Sequence, residues 1–206
     1  MYKRQTYFQT LPDRKGYNLL HLNAFYDLCS RQYTDAIIQP SRLANERRAM
    51  CEMIDRYNDT SAIFIADRGY ENYNIFAHVE HKGMYYLIRV KDITSNGITS
   101  KLTMLPESGE FDEWVNVTLT KKQTNEVKAN PKKYRVIDKK TPFDYLDLHF
   151  NNFYEMKMRV IRFPIPQGSY ECIITNLPQD KFNSDEIKRL YLSLIHISEP
   201  TRPISI

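Results

Sequence analysis

The sequence contains little cysteine, little glycine and no long apolar run. Its 206 residues include three cysteines and six glycines. An odd number of cysteines without paired spacing favours reduced thiols and argues against a zinc site or a disulfide framework. The longest apolar runs, 62–66 and 84–88, are far shorter than the roughly 20 residues that cross a bilayer. The first twenty residues lack the apolar segment of a secretory signal. The sequence therefore predicts a cytoplasmic protein with no membrane segment.

Apolar and aromatic residues are plentiful enough for a folded core. Hydrophobic residues make up 42% of the chain, and 15 tyrosines with 10 phenylalanines exceed what a disordered segment carries. The length fits one large domain, or one domain with an insertion. Basic residues outnumber acidic ones, 29 to 25. Lysine pairs between 121 and 140 form a basic run, which is most often a solvated surface but also suits contacts with phosphates.

The two ends of the chain can be written with codons that are reverse complements of each other. When residues 1–5 are written as codons with a GTG start, the reverse complement translates as Leu-Ser-Leu-Ile-His, the sequence of residues 192–196. This string resembles the translation of a transposon-end adapter used in sequencing libraries. We therefore expect residues 1–5 and 192–206 to be adapter-derived. On this interpretation both true ends of the parent gene are missing.

The pattern up to residue 92 predicts a mixed α/β protein in the order β-β-α-β-α-β. Ser41 or Asn45 is positioned to cap the first helix. The predicted elements are a hairpin of strands 19–28 and 34–39, a helix ending by 58, a strand at 62–66, a helix of about ten residues ended by Gly83, and a strand at 84–90. The strand at 62–66 is continuously apolar, which is typical of a central strand covered on both faces.

From about 93 to 172 the sequence predicts a β-rich insertion, because short strand-like runs alternate with turn residues. These runs are 98–105, 114–119, 134–137, 156–163 and 170–175. A last helix is predicted to begin at Ser184, and we expect the adapter-derived residues to cut it off after Tyr191.

Asp67 is the strongest candidate for chemistry, because it directly follows the apolar strand 62–66. An acid exposed at the carboxyl end of a strand can bind Mg²⁺ through a hard oxygen ligand. The same residue could instead serve only as a helix cap. Spacing alone favours neither interpretation.

Five segments resemble the DDE transposases of bacterial insertion sequences, specifically the insertion-sequence-four family. They are 20–28, 33–40, 45–50, 62–92 with its Asp-Arg-Gly-Tyr block, and 174–178. The resemblance implies a ribonuclease-H-like mixed sheet with a β-rich insertion, incomplete at both ends. It divides the chain into adapter-derived residues 1–5, a core at 6–92 without its first strand, the insertion at 93–180, the start of the last catalytic helix at 181–191, and an adapter-derived tail at 192–206.

The resemblance also implies the chemistry of the parent. DDE transposases cut and join DNA strands at element ends with two divalent ions, Mg²⁺ or Mn²⁺, held by three carboxylates. Asp67 matches the second carboxylate, and the first lies upstream of the matched region. In the final signature, which begins at Tyr191, the Arg, Glu and Lys positions hold Leu194, Ser198 and Ser205.

The resemblance therefore implies one catalytic and metal-binding residue, Asp67, and a set of DNA-binding residues. That set is Arg68, Arg89, Lys91, Lys121, Lys122, Lys132 and Lys133. For the first three, surface ion pairs are an equally weighted alternative. The implied partners are DNA, at the element's terminal repeats and at the target, and a second copy in a homodimeric parent. We expect the chain itself to be inactive, and the alternative is a non-catalytic DNA-binding protein derived from a transposase.

The family's sheet order, 3-2-1-4-5, places the strand of the first Asp between strands 19–28 and 62–66. Without that strand we expect two separate pairs, 19–28 with 34–39 and 62–66 with 84–90. Asp67 should still lie at the carboxyl end of its strand and open toward solvent.

Overall fold

The computed structural model describes residues 20–146, 152–166 and 168–198, with side chains described to residue 192. The residues predicted to be adapter-derived at 1–5, and those at 199–206, lie outside the described ranges. The chain divides into two compact units, one ending at Asn58 and the other beginning at Asp59. This division falls inside the stretch 6–92, for which a single core was expected.

The described residues of the first unit form a β-hairpin and a helix, as the sequence predicts. Strand β1 (Leu20–Asp27) pairs antiparallel with β2 (Gln32–Pro40). Helix α1 (Glu46–Arg56) follows, and its buried face includes Met50, Met53 and Ile54. Of the two residues predicted as possible caps, Asn45 caps the helix, because its side chain accepts a hydrogen bond from the backbone N–H of Arg48 at 3.0 Å.

The second unit is built on a six-stranded mixed sheet in the order β3-β4-β8-β7-β5-β6. The strands are β3 (Ile63–Ala66), β4 (Tyr85–Val90), β5 (Phe111–Thr120), β6 (Tyr134–Val136), β7 (Tyr154–Pro164) and β8 (Tyr170–Thr175). The helices are α2 (Tyr73–His81), α3 (Asn125–Ala129) and α4 (Ser184–Ser198). Strands β3 and β4 pair in parallel, and β8 pairs antiparallel with both β4 and β7. Strands from the predicted insertion thus extend the sheet that β3 and β4 begin.

Both strand pairs expected from the family order are confirmed. β1 pairs with β2 in the first unit, and β3 pairs with β4 in the second. Within the described residues β3 pairs with no strand on its other side, so it is an edge strand. The prediction of a central strand covered on both faces is therefore wrong, and only Phe64 of its four residues is buried. A continuous apolar run does not by itself separate a central strand from an edge strand that lacks a neighbour.

Two further predictions are corrected. Residues 98–105 form no strand but a short 3-10 helix, Thr99–Lys101, and turns. The Thr99 hydroxyl donates to the carbonyl of Lys91 at 2.6 Å and holds this segment against the end of β4. Helix α4 does not stop after Tyr191 but runs to Ser198. Between 192 and 198 the sequence has no proline or glycine, and Pro200 disfavours helical backbone only at the residue before it.

The core of the second unit lies between the sheet and its helices. Ile187 and Tyr191, one helical turn apart on α4, pack with a cluster of fully buried side chains from the sheet. That cluster includes Leu87, Ile161, Phe163 and Ile173. At α2, Phe76 stacks on Tyr86 of β4 with ring centroids 4.9 Å apart.

Gly83, at φ 68°, turns the chain from α2 into β4, as predicted. Over the described residues, no helix is both long enough and apolar enough to cross a membrane.

Candidate active site at the carboxyl end of strand β3

Asp67 lies directly after β3, and its side chain is 71% exposed. This is the position and exposure that the sequence predicts. The alternative, that Asp67 is a helix cap, finds no support: its side chain makes no capping hydrogen bond to the following 3-10 helix. Helix α2 is capped by Asn72, whose side chain accepts from the N–H of Asn74 at 2.8 Å. The Asp67 carboxylate is therefore available for an interaction other than capping.

Arg89 on the adjacent strand β4 links Asp67 to a second acid, Glu171. One terminal nitrogen of Arg89 lies 3.4 Å from Oδ1 of Asp67. The guanidinium also donates to Glu171 of β8, through Nε at 2.5 Å and through its other terminal nitrogen. Burial by itself would lower the pKa of Arg89, but the hydrogen bonds to Glu171 outweigh it and raise that pKa. Arg89 therefore stays charged between the two carboxylates.

Glu171 is the buried acid of this cluster, with a side chain only 8% exposed. Arg68 donates to it from the solvent side at 3.3 Å. Burying a carboxylate is costly unless paired charges and hydrogen bonds compensate it, and the two arginines supply both. Together with Asp67 the cluster contains two acids and two arginines, so its formal charge is zero.

Tyr191 of α4 belongs to the same neighbourhood. Burial raises the pKa of Tyr191 to about 12, and the charges of Arg89, Glu171, Asp67 and Arg68 act on it as well. Tyr191 also belongs to the buried cluster against which Ile63 and Ile65 of β3 pack, so the last helix lies next to this strand. Sequence reasoning identified Tyr191 only as a motif position.

Glu171 was missed altogether at the sequence level. Its signal is an acid inside an otherwise apolar strand, flanked by Tyr170 and Cys172. Such a residue is rarely buried without a charged partner. The pattern could therefore have indicated a buried ion pair, though not the identity of the arginines.

The structure places the three basic residues predicted near the cleft in internal contacts. Arg68 and Arg89 pair with Glu171, as described. Lys91, after β4, donates from its backbone N–H to Glu71 at 3.0 Å, and its ammonium donates to the carbonyl of Asn96 at 3.2 Å. These contacts correspond to the ion-pair alternative for the two arginines.

The four lysines predicted to bind DNA lie elsewhere on the sheet. Lys121 and Lys122 follow β5, and Lys132 and Lys133 precede β6. All are exposed except Lys121, which is half-buried. We call this group the basic edge, because β6 is the edge of the described sheet opposite to β3. The predicted site residues thus form two groups rather than one.

The residues of the described part do not fit a pair of divalent cations. Within these ranges no three His, Cys, Asp or Glu side chains come together as metal ligands. Asp67 offers one exposed carboxylate, and Glu171 is occupied by two arginines. A two-metal site needs several converging carboxylates.

Comparison with known proteins gives a match to one family. The model of that family, described as a transposase DDE domain, matches residues 4–192. Among curated proteins no match was found.

Proposed function

The chain belongs to the transposase DDE domain family, and we propose that it is a fragment of an insertion-sequence transposase that cuts and joins DNA strands at element ends. Membership of a transposase family implies that DNA is the partner of the chain. We assign the chain to the insertion-sequence-four group, with a ribonuclease-H-like core, on the segments that resemble that group. Within this proposal Asp67 is the second of the three catalytic carboxylates.

The observation that carries the proposal is the position of Asp67 at the end of an edge strand. β3 is unpaired on one side among the described residues, and Asp67 is 71% exposed at its carboxyl end. In the proposed strand order, the strand of the first catalytic Asp belongs beside β3. A strand pairing there would bring a second carboxylate to the same end of the sheet as Asp67, since neighbouring strands lie about 4.8 Å apart.

Divalent ions supply this family with Lewis-acid stabilisation and an activated oxygen nucleophile. Asp67 is the residue of this chain that we propose as a ligand, and by itself it does not fit two ions. We therefore propose that the chain is inactive in strand cleavage. Its own residues hold the guanidinium groups of Arg68 and Arg89 near Asp67 through ion pairs with Glu171.

A nicking assay tests this proposal. The purified chain is incubated with supercoiled plasmid and with a labelled duplex, in Mg²⁺ and separately in Mn²⁺. We expect no cleavage above background. The Asp67→Asn variant is the matched control, because nicking that persists in it comes from a contaminating nuclease. Metal-dependent cleavage that D67N abolishes would refute the proposed inactivity while supporting the role of Asp67.

The second candidate function is non-catalytic DNA binding by a protein derived from a transposase. The basic edge favours it, because it lies at the edge of the described sheet opposite to β3 and three of its four lysines are exposed. Binding through such lysines should be weak, salt-sensitive and indifferent to sequence. Affinity that does not change between low and high salt would exclude phosphate contacts as its basis.

A further inference from the structure

Two buried polar atoms of the second unit have no hydrogen-bond partner among the described residues. They are the hydroxyl of Tyr73 and Nε of Arg135. Tyr73 is the first residue of α2, and Arg135 is the middle residue of β6. Buried polar groups in folded proteins nearly always have a partner, so each unpaired one calls for a physical explanation.

The two groups lie near one another. Burial raises the pKa of Tyr73 to about 12, and both the charge of the Arg135 guanidinium and its side-chain contact with the hydroxyl counter that rise. The phenol is therefore protonated at neutral pH, with its oxygen close to a cation. Glu71 also acts on Tyr73, but its carboxylate accepts hydrogen bonds from the backbone N–H groups of Lys91 and Ile98. Glu71 keeps its negative charge in these contacts, but it forms no ion pair with Arg135.

Arg135 differs from the other buried or half-buried arginines of this sheet. Arg89, Arg159 and Arg162 form ion pairs with Glu171, Asp112 and Asp92, respectively. Arg135 is half-buried and has no ion pair with any described residue. Withdrawing a guanidinium from water without a counter-charge is unfavourable. An anion from outside the chain would remove that cost.

The surroundings of Arg135 suit a phosphate. Lys132 and Lys133 precede its strand, Lys139 and Lys140 follow it, and all four are exposed. With Nε buried, the guanidinium can meet a ligand from solvent only through its terminal nitrogens. A guanidinium held in one orientation binds phosphate oxygens through two parallel hydrogen bonds, which an ammonium cannot do.

We propose that Arg135, whose guanidinium lies beside the hydroxyl of Tyr73, binds one phosphate of a DNA backbone at the basic edge. This inference rests on the proposed function for the class of ligand. Arg135 contacts the phosphate, and Tyr73 is a positioning residue. The lysines beside it add charge without fixing the position of the phosphate.

A DNA-binding comparison of charge-preserving variants tests the site. Fluorescence anisotropy with a labelled mixed-sequence duplex of about 20 base pairs gives the affinity at several salt concentrations. Arg135→Lys should weaken binding roughly tenfold, because the charge remains while the two-point contact is lost. Arg31→Lys, in the exposed hairpin turn, is the matched control and should leave affinity unchanged. Tyr73→Phe should weaken binding severalfold with an unchanged dependence on salt.

An NMR measurement separates this inference from the proposed function. The Nε–H signal of Arg135, identified by its absence in R135K, is followed as inorganic phosphate or duplex is added. A shift with both probes supports the site. A shift with phosphate in a chain that binds no duplex supports an anion site and overturns the DNA-binding function. Duplex binding with a stationary signal and full affinity in R135K overturns the site and leaves the function standing.

Discussion

Replacing Glu171 by glutamine would test whether the buried ion pairs beside Asp67 stabilise this end of the sheet. The Glu171 side chain is 8% exposed and accepts hydrogen bonds from Arg89 and Arg68. Removing one partner of a buried ion pair costs about 3–5 kcal/mol. In the variant Arg89 would still have Asp67 3.4 Å away, and its side chain is 24% exposed to water. Both interactions with the guanidinium offset part of that cost. We expect Glu171→Gln to lower the free energy of unfolding by about 2–3 kcal/mol.

Urea denaturation followed by circular dichroism measures this loss. The matched control is Asp185→Asn, which removes the 82%-exposed partner of Lys188 and should cost no more than about 0.5 kcal/mol. A double-mutant cycle with Arg89→Gln should give a coupling energy of about 1–2 kcal/mol. The reasoning is refuted if E171Q costs no more than D185N, because the buried cluster would then contribute no more than an exposed pair.

Three further predictions concern pH and salt. Burial raises the pKa of Glu80 to about 7, so the folded state disfavours its charged form. Glu80→Gln should therefore raise the free energy of unfolding by about 2 kcal/mol at pH 8 and by little at pH 4, as measured by urea denaturation. Burial would raise the pKa of Asp92, but Arg162 holds it well below its usual value. The charged Asp92 therefore stabilises the fold above about pH 4, and this contribution is lost as the pH falls further. When the free energy of unfolding is measured against decreasing pH, this loss should be absent from Asp92→Asn. Replacing both Lys132 and Lys133 by glutamine should reduce the number of counterions released on duplex binding by about two. This number is read from the slope of the logarithm of affinity against the logarithm of salt concentration, and an unchanged slope would exclude both lysines as phosphate contacts.

The elements that sequence reasoning predicted are those with strong local signals. Asn45 provides a side-chain cap, Gly83 can adopt a positive φ, and the run from Ile63 to Ala66 is too short for a helix. Each of these signals acts within a few residues of the element it defines. The exposure of Asp67 followed from the same logic, since the residue after an apolar strand leaves the core.

The features that sequence reasoning missed depend on contacts between distant segments. Glu171 meets Arg89 across a separation of 82 residues. Tyr73 and Arg135 come together only because α2 and β6 belong to one folded unit. The edge position of β3 likewise depends on which strands are present to pair with it. No local pattern encodes any of these relations.

The placement of Asp67 and the basic edge on opposite sides of one sheet sets a length scale for DNA. Five strand spacings separate β3 from β6, which corresponds to roughly 24 Å. Since duplex DNA rises 3.4 Å per base pair, this span equals about seven base pairs. A duplex whose axis runs across the sheet from β3 to β6 therefore extends over more than half a helical turn.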